Sequence, residues 1–166
     1  THTYASPGTF TVTLVVTGPG GTAQAVKPGY IAVNEPPPQV DFTATPRSGN
    51  APLEVHFTSV VTGTVTAYAW DFGDGGTATT PHPTHTYASP GTFTVTLVVT
   101  GPGGTAQAVK PGYITVNEPP PQVDFTATPR SGDAPLEVHF TSVVTGAVTA
   151  YAWDFGDGGT ATTPHP

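Results

Sequence analysis

The clearest alternation in the chain runs through Thr92–Val99, where Phe93, Val95, Leu97 and Val99 share one parity and Thr92, Thr94 and Thr96 the other. Successive side chains of a strand point to opposite faces, so the pattern predicts a half-buried β-strand with a row of threonines facing out. Leu53, Val55 and Phe57 alternate in the same way with Glu54, His56 and Thr58. In Thr66–Phe72 the aromatic residues Tyr68, Trp70 and Phe72 fall on one face. With Tyr87, Phe93 and, further along, Trp153, they are the expected core anchors. Gln39–Thr45 predicts a short edge strand, and Thr105–Val109 and Tyr113–Val116 two more, separated by a break or bulge at Lys110-Pro111-Gly112. Turns are expected at Pro46–Pro52, Gly73-Asp74-Gly75-Gly76 and Gly101-Pro102-Gly103-Gly104, where glycine and proline supply backbone angles that other residues disfavour. About seven short strands joined this way predict an all-β fold of two packed antiparallel sheets.

The pattern occurs twice. Residues 84–166 restate residues 1–83 with three differences: Ala32 against Thr115, Asn50 against Asp133, and Thr64 against Ala147. A period of that length suits one small β-sandwich per repeat. The organisation expected is a C-terminal half-domain over 1–35, a proline linker at 36–38, a complete domain over 39–118, a second linker at 119–121, and an N-terminal half-domain over 122–166. Glu35-Pro36-Pro37-Pro38 recurs as Glu118-Pro119-Pro120-Pro121, and consecutive prolines favour a stiff polyproline II spacer. Identical spacers between near-identical units repeat one rotation and one rise, which generates a helical array.

Each half-domain alone leaves apolar side chains in water, among them Phe10, Val12, Leu14 and Val16 at one end and Leu136, Val138, Phe140 and Trp153 at the other. Burying such a side chain is worth roughly 1.5–3 kcal/mol, so two open halves forgo on the order of 10 kcal/mol. That is comparable to the whole stability of a domain. The expectation is that each half is completed by a neighbouring copy of the chain, through strand exchange, or by a continuing polypeptide. Joining Pro166 to Thr1 of another copy restores the interior pattern at Pro83-Thr84.

Composition narrows the function. Gly 20 and Pro 20 among 166 residues would suggest disorder if the apolar residues were scattered, but they are gathered into strands rich in threonine, a good strand former. The net charge is −7, and Lys27, Arg47, Lys110 and Arg130 are the only lysines and arginines, too few and too dispersed for a phosphate-binding surface. Nucleic acid is therefore not an expected partner. No stretch of 18 apolar residues predicts a membrane span, and no signal-peptide pattern opens the sequence. With no Cys there is neither a disulfide framework nor thiolate chemistry. Scarce lysine and abundant threonine suit an exported protein.

Tyr68-Ala69-Trp70-Asp71-Phe72-Gly73-Asp74-Gly75 is followed by His85-Thr86-Tyr87 and by Pro90-Gly91 leading into the alternating strand. This arrangement closely resembles the PKD (polycystic kidney disease) domain, and it recurs in part at Trp153–Gly158 and at His2–Leu14. The resemblance implies an immunoglobulin-like β-sandwich on extracellular or cell-surface proteins, serving as spacer, adhesion module or accessory to exported hydrolases. It implies no catalytic activity, and no cofactor is expected apart from the Ca²⁺ candidates weighed below. Many prokaryotic members carry an acidic loop before the Trp strand, and some bind calcium there. Ser59-Val60-Val61-Thr62-Gly63 has no acids, which argues against calcium at that loop.

Asp71 and Asp74, with Asp154 and Asp157, are the best carboxylate pairs. Ca²⁺ takes six to eight oxygens, and two carboxylates with turn carbonyls supply part of such a shell. The structural alternative is that Asp74 caps its turn and Asp71 accepts a hydrogen bond from nearby backbone or from His85. His82 and His85 lack a third short-range ligand for zinc, and Ser89 sits before Pro90 outside any nucleophile elbow. Thr79, Thr80, Thr92, Thr94, Thr96, Thr162 and Thr163 are candidate acceptors of O-linked sugar, against the plain reading of a polar strand face. No Asn-x-Ser/Thr sequon is present. The leading expectation is a structural tandem-repeat protein, an extracellular rod, stalk or helical filament whose partners are copies of itself and, at its surface, glycans. The alternative is an adhesin or a polysaccharide- or protein-binding accessory module.

Overall fold

The computed structural model describes all 166 residues, in two compact units, Thr1–Asn117 and Glu118–Pro166. Every regular element is a β-strand, and no helix is long and apolar enough to cross a membrane. The first unit opens with a hairpin of β1 (Gly8–Gly18) and β2 (Gly21–Val33), which form a two-stranded sheet of their own.

A sandwich follows. One sheet has three strands in the order β3 (Gln39–Thr45), β5 (Leu53–Thr62) and β8 (Thr84–Tyr87). The other has five, in the order β4 (Ser48–Asn50), β10 (Gly104–Asn117), β9 (Gly91–Gly101), β6 (Ala67–Asp71) and β7 (Thr77–Ala78). All neighbours are antiparallel except β4 and β10. The alternation in the sequence becomes alternation of burial: Leu53, Val55 and Phe57 of β5 and Val95, Leu97 and Val99 of β9 are all buried and face each other across the sandwich. Val40, Phe42 and Ala44 share a parity on the edge strand β3, and Phe42 is fully enclosed. Tyr68 and Phe93 pack against the core while partly exposed, whereas Trp70, Phe72 and Tyr87 are buried.

Three strands of the sandwich, β4, β7 and β8, form where sequence periodicity shows none. Within the stretch expected as a turn, Ser48–Asn50 runs parallel to Thr115–Asn117. Flanking bonds from Ala51 N to Asn117 O (2.9 Å) and from Thr115 N to Arg47 O (2.9 Å) extend the pairing. Three residues bounded by prolines are too short to show a period, and long-range backbone pairing decides their conformation. Thr84–Tyr87 joins β5 on the same grounds. The register of β10 against β9 shifts between Lys110 and Ile114, the bulge that Pro111 requires because it has no N–H to donate.

The second unit contains β11 (Gln122–Thr128) paired with β12 (His139–Thr145), and β13 (Trp153–Asp154) paired with β14 (Thr160–Ala161). Its strands are shortened where a partner is lacking. Leu53–His56 pair with β8 in the sandwich, but of the equivalent Leu136–His139 only His139 is in a strand. Ala67–Ala69 pair with β9, and the equivalent Ala150–Ala152 have no strand structure.

Leu97 is fully buried on the central strand, opposite Trp70. Leu97→Ala is expected to destabilise the sandwich by about 2–5 kcal/mol through lost contacts and a residual cavity. Urea unfolding followed by Trp70 fluorescence, in a Trp153→Phe background that makes Trp70 the sole reporter, measures it.

Candidate functional site

The aromatic strand β6 ends in a turn that brings together most of the polar chemistry of the sandwich. Gly73 has φ +83°, and a Cβ there would lie 2.3 Å from Thr94 O, so both conformation and space demand glycine. Phe72 N donates to Gly76 O (3.1 Å), closing the turn. Asp71 Oδ1 accepts from Gly73 N and Asp74 Oδ1 from Gly76 N, each at 2.9 Å. The second oxygen of Asp74 lies 2.7 Å from His85 Nε2. The His85 ring stacks on Phe72, with centroids 4.2 Å apart, and meets Tyr87 edge-on at 4.7 Å. Tyr87 is buried and its hydroxyl donates to Phe72 O at 3.0 Å, which satisfies a carbonyl that water cannot reach.

Burial pulls the Asp74 carboxyl upward. The hydrogen bonds from His85 and the Gly76 amide, with the charge of His85, outweigh it and hold the group below its ordinary value of 3.8. For Tyr87, burial is the larger influence and the charges of Asp74 and Asp71 add to it, so its pKa is raised and the hydroxyl remains a donor.

One oxygen of each carboxylate considered for Ca²⁺ accepts from the backbone of its own turn, and the second oxygen of Asp74 faces His85. Asp154 and Asp157 repeat the arrangement, accepting from Gly156 N (2.9 Å) and Gly159 N (2.8 Å). No group of three or more His, Cys, Asp or Glu side chains converges as a metal cage would. His82 and His85 have separate partners: His82 Nδ1 accepts from Ser59 N at 3.3 Å, while His85 faces Asp74. Among the candidate sugar acceptors, Thr79, Thr80, Thr92, Thr94, Thr162 and Thr163 are exposed and Thr96 is half-buried.

Two features escape a reading of motifs. The first is Lys110, at the bulge of β10. Its ammonium donates to Phe42 O, lies 2.9 Å from Asp41 Oδ1, and sits 4.8 and 5.0 Å from the ring centres of Phe42 and Tyr113. The hydrogen bond to Lys110, aided by the Phe42 amide, lowers the pKa of Asp41. One cation thus fastens the edge strand of one sheet to the other. The scarcity of lysine was the available signal.

The second is the linker, which lies on the sandwich that follows it. Pro38 is buried, and Thr64 Oγ1 donates to Glu35 Oε1 at 2.5 Å. A Cβ on Gly103 would come 2.1 Å from Pro36 O, so the glycine turn between β9 and β10 closes directly over the proline backbone.

Two sheets, a buried Trp on the strand before a glycine–aspartate turn, and a buried Tyr bonded back to that strand define an immunoglobulin-like β-sandwich module. The sequence pattern of the PKD domain matches residues 34–116, and the chain belongs to this family. It is similar to "Collagenase ColA" of Bacillus cereus, 39% identical over 79 residues, which cover 45% of this chain and 8% of that protein. It is also similar to "Polycystin-1" of Homo sapiens, 36% identical over 99 residues, covering 57% of this chain and 2% of that protein. The chain thus spans a small fraction of the curated relatives it matches. A solved carbohydrate-binding module of the β-sandwich superfamily aligns at 24% identity with a TM-score of 0.47, over 66% of this chain and 55% of its own.

Because the folded pKa of Asp74 is depressed, the stability it contributes is present above the unfolded value near 4 and is lost as the pH falls through the folded value. Asp74→Asn is expected to cost on the order of 1 kcal/mol at pH 7, the gap from wild type narrowing as the pH drops below about 4. Urea unfolding midpoints across pH 2.5–7 check this, and a gap independent of pH would refute it.

Proposed function

We propose that the chain is a non-catalytic structural module whose PKD sandwiches are strung along an extracellular or cell-surface rod or helical filament, with copies of the same unit as its neighbours. The seated linker carries this reading. A proline spacer left free would only set a distance, whereas one clamped between Gly103, Gly63 and Thr64 also sets the direction in which the chain enters the next sandwich. Direction repeated from unit to unit is what a rod requires. Exposed threonines along β9 and in the Thr79–Thr80 segment offer such a rod hydroxyls for O-linked sugar.

A second reading, an accessory or adhesion module, draws on the similarity to a collagenase. It calls for an exposed aromatic platform. Trp70 and Phe72 are buried, and Tyr113 is half-buried with Arg47 and Lys110 set over its ring. Tyr30 is the most exposed aromatic of the first unit and carries Lys27 over its face at 4.4 Å. One tyrosine is a small platform.

Electron microscopy of the 166-residue chain at high concentration tests the choice. The structural reading expects stiff particles with an axial repeat of one small domain, roughly 35–50 Å. Gly103→Val, which forces the turn away from Pro36, is expected to make those particles bend irregularly. Dispersed particles retained on insoluble collagen or polysaccharide would replace this reading with the accessory one.

A further inference from the structure

We infer that Lys110 and Asp41 guard the free edge of β3 against antiparallel pairing with the same edge of a second copy of the chain. The inference concerns sideways contact between sandwiches and holds whether the chain serves as a rod or as an accessory module.

The direction of the backbone groups of β3 follows from its partner. In an antiparallel pair a residue sends its N–H and its C=O to the same side, and successive residues alternate. Phe57 N donates to Pro83 O at 2.8 Å and Ser59 N to His82 Nδ1 at 3.3 Å, so both residues face away from β3. Their register partners on β3 are Ala44 and Phe42. Ala44, Phe42 and, by the same alternation, Val40 therefore turn their backbone groups away from β5, toward an edge with which no strand pairs. Gln39–Thr45 is rich in strand-forming residues, has no proline and carries one charge, the features that make an open edge a template for another strand.

Phe42 lies at the centre of that edge, and both its backbone groups are occupied by side chains. Its carbonyl accepts from Lys110 Nζ, and its N–H faces the Asp41 carboxylate. The two side chains are joined to each other, with Nζ 2.9 Å from Asp41 Oδ1. Lys110 belongs to the other sheet and reaches across because the bulge of β10 begins at its position. The rings of Phe42 and Tyr113, 4.8 and 5.0 Å from Nζ, hold the ammonium there. In the second copy of the strand Asp124 Oδ1 accepts from Phe125 N at 2.8 Å, so the carboxylate cap is a property of the Asp-Phe step itself.

The strand excluded is the strand itself. Gln39–Thr45 recurs residue for residue as Gln122–Thr128, so every chain supplies two copies of a matching edge sequence. Two such edges centred on Phe42 would set Phe42 opposite Phe42, Val40 opposite Ala44, and Asp41 opposite Thr43. No like charges meet in this register, so nothing in the strand's own side chains opposes it. The central pair would exchange both bonds of Phe42, the same two groups that Lys110 and Asp41 take up. Guard and second copy compete for one donor and one acceptor.

Sedimentation velocity of the full chain tests this. All chains carry Thr126→Asp, which keeps the repeated strand out of the register by like charge, and only differences from this parent are read, so association through other surfaces cancels. Lys110→Met is expected to lower the apparent dissociation constant about tenfold or more. Within Lys110→Met, Thr43→Asp, which faces Asp41 of the other copy, is expected to reverse the gain, and Thr43→Lys at the same exposed position to increase it. Hydrogen exchange at the amides of Val40, Phe42 and Ala44 should slow with rising concentration in Lys110→Met and not in the parent. Asp41→Asn, a change at an exposed side chain that leaves the core intact, is expected to shift association in the same direction and decides the matter if Lys110→Met does not fold. Association unchanged by loss of the guard would overturn the proposal, as would equal effects of Thr43→Asp and Thr43→Lys, or association that leaves the three edge amides unaffected. The rod reading fails on particle shape and this one on edge pairing, so the two failures are told apart.

Discussion

The structure depends on a single aromatic column closed between two sheets. Phe42, Trp70, Phe57 and Phe72 touch in succession, the His85 ring stacks on Phe72, and Tyr87 and Phe93 continue the line. Such residues bury more area than any others, and the sandwich has few large aliphatic side chains to replace them. The polar features serve this column. The Trp70 indole donates to Thr80 O at 2.9 Å, the Tyr87 hydroxyl reaches Phe72 O, and Asp74 fixes the imidazole that stacks on Phe72. No buried side-chain polar atom is left without a partner. Asp74 thus forms the polar edge of the aromatic stack, while Asp71 accepts from Gly73 N within the turn.

The strands with a long alternation were legible in sequence because one face of each is buried and the other wet, so β5 and β9 announce themselves by parity. The bulge at Lys110-Pro111-Gly112 was legible because proline cannot donate to a ladder. Ser48–Asn50 and Thr84–Tyr87 were not, since both are strands only by virtue of partners far away in sequence, Thr115–Asn117 and Leu53–His56. The same limit applies to the candidate site. Asp74 as turn cap follows from Gly-Asp-Gly chemistry, but its bond to His85 requires strand β8 to lie beside β5. The clamp of Lys110 on Asp41 and Phe42 joins positions 68 residues apart from one sheet to the other, and no local pattern encodes it.

The linker shows how glycine and proline divide the work at a junction. Proline stiffens Glu35–Pro38, but stiffness alone leaves the angle to the next sandwich open. The angle is set because Gly63 and Gly103 allow the backbone to approach where a side chain would collide. Thr64 adds a hydrogen bond to Glu35, and at Ala147 the second copy lacks the hydroxyl to repeat it. Near-identity of the repeats therefore does not make every junction the same, and this is the one difference among the three that touches a linker contact.

Near-identical repeats carry a cost that a rod of dissimilar domains avoids: any β1–β2 hairpin can in principle replace any β9–β10 hairpin. What separates the two is linkage within the chain. β9 and β10 follow β8 directly and are held at a high effective concentration beside β5 and β6, which favours closure of the central sandwich by its own hairpin. The same interior residues thus specify the fold in each repeat, and the order of segments along the chain specifies which hairpin completes the central sandwich.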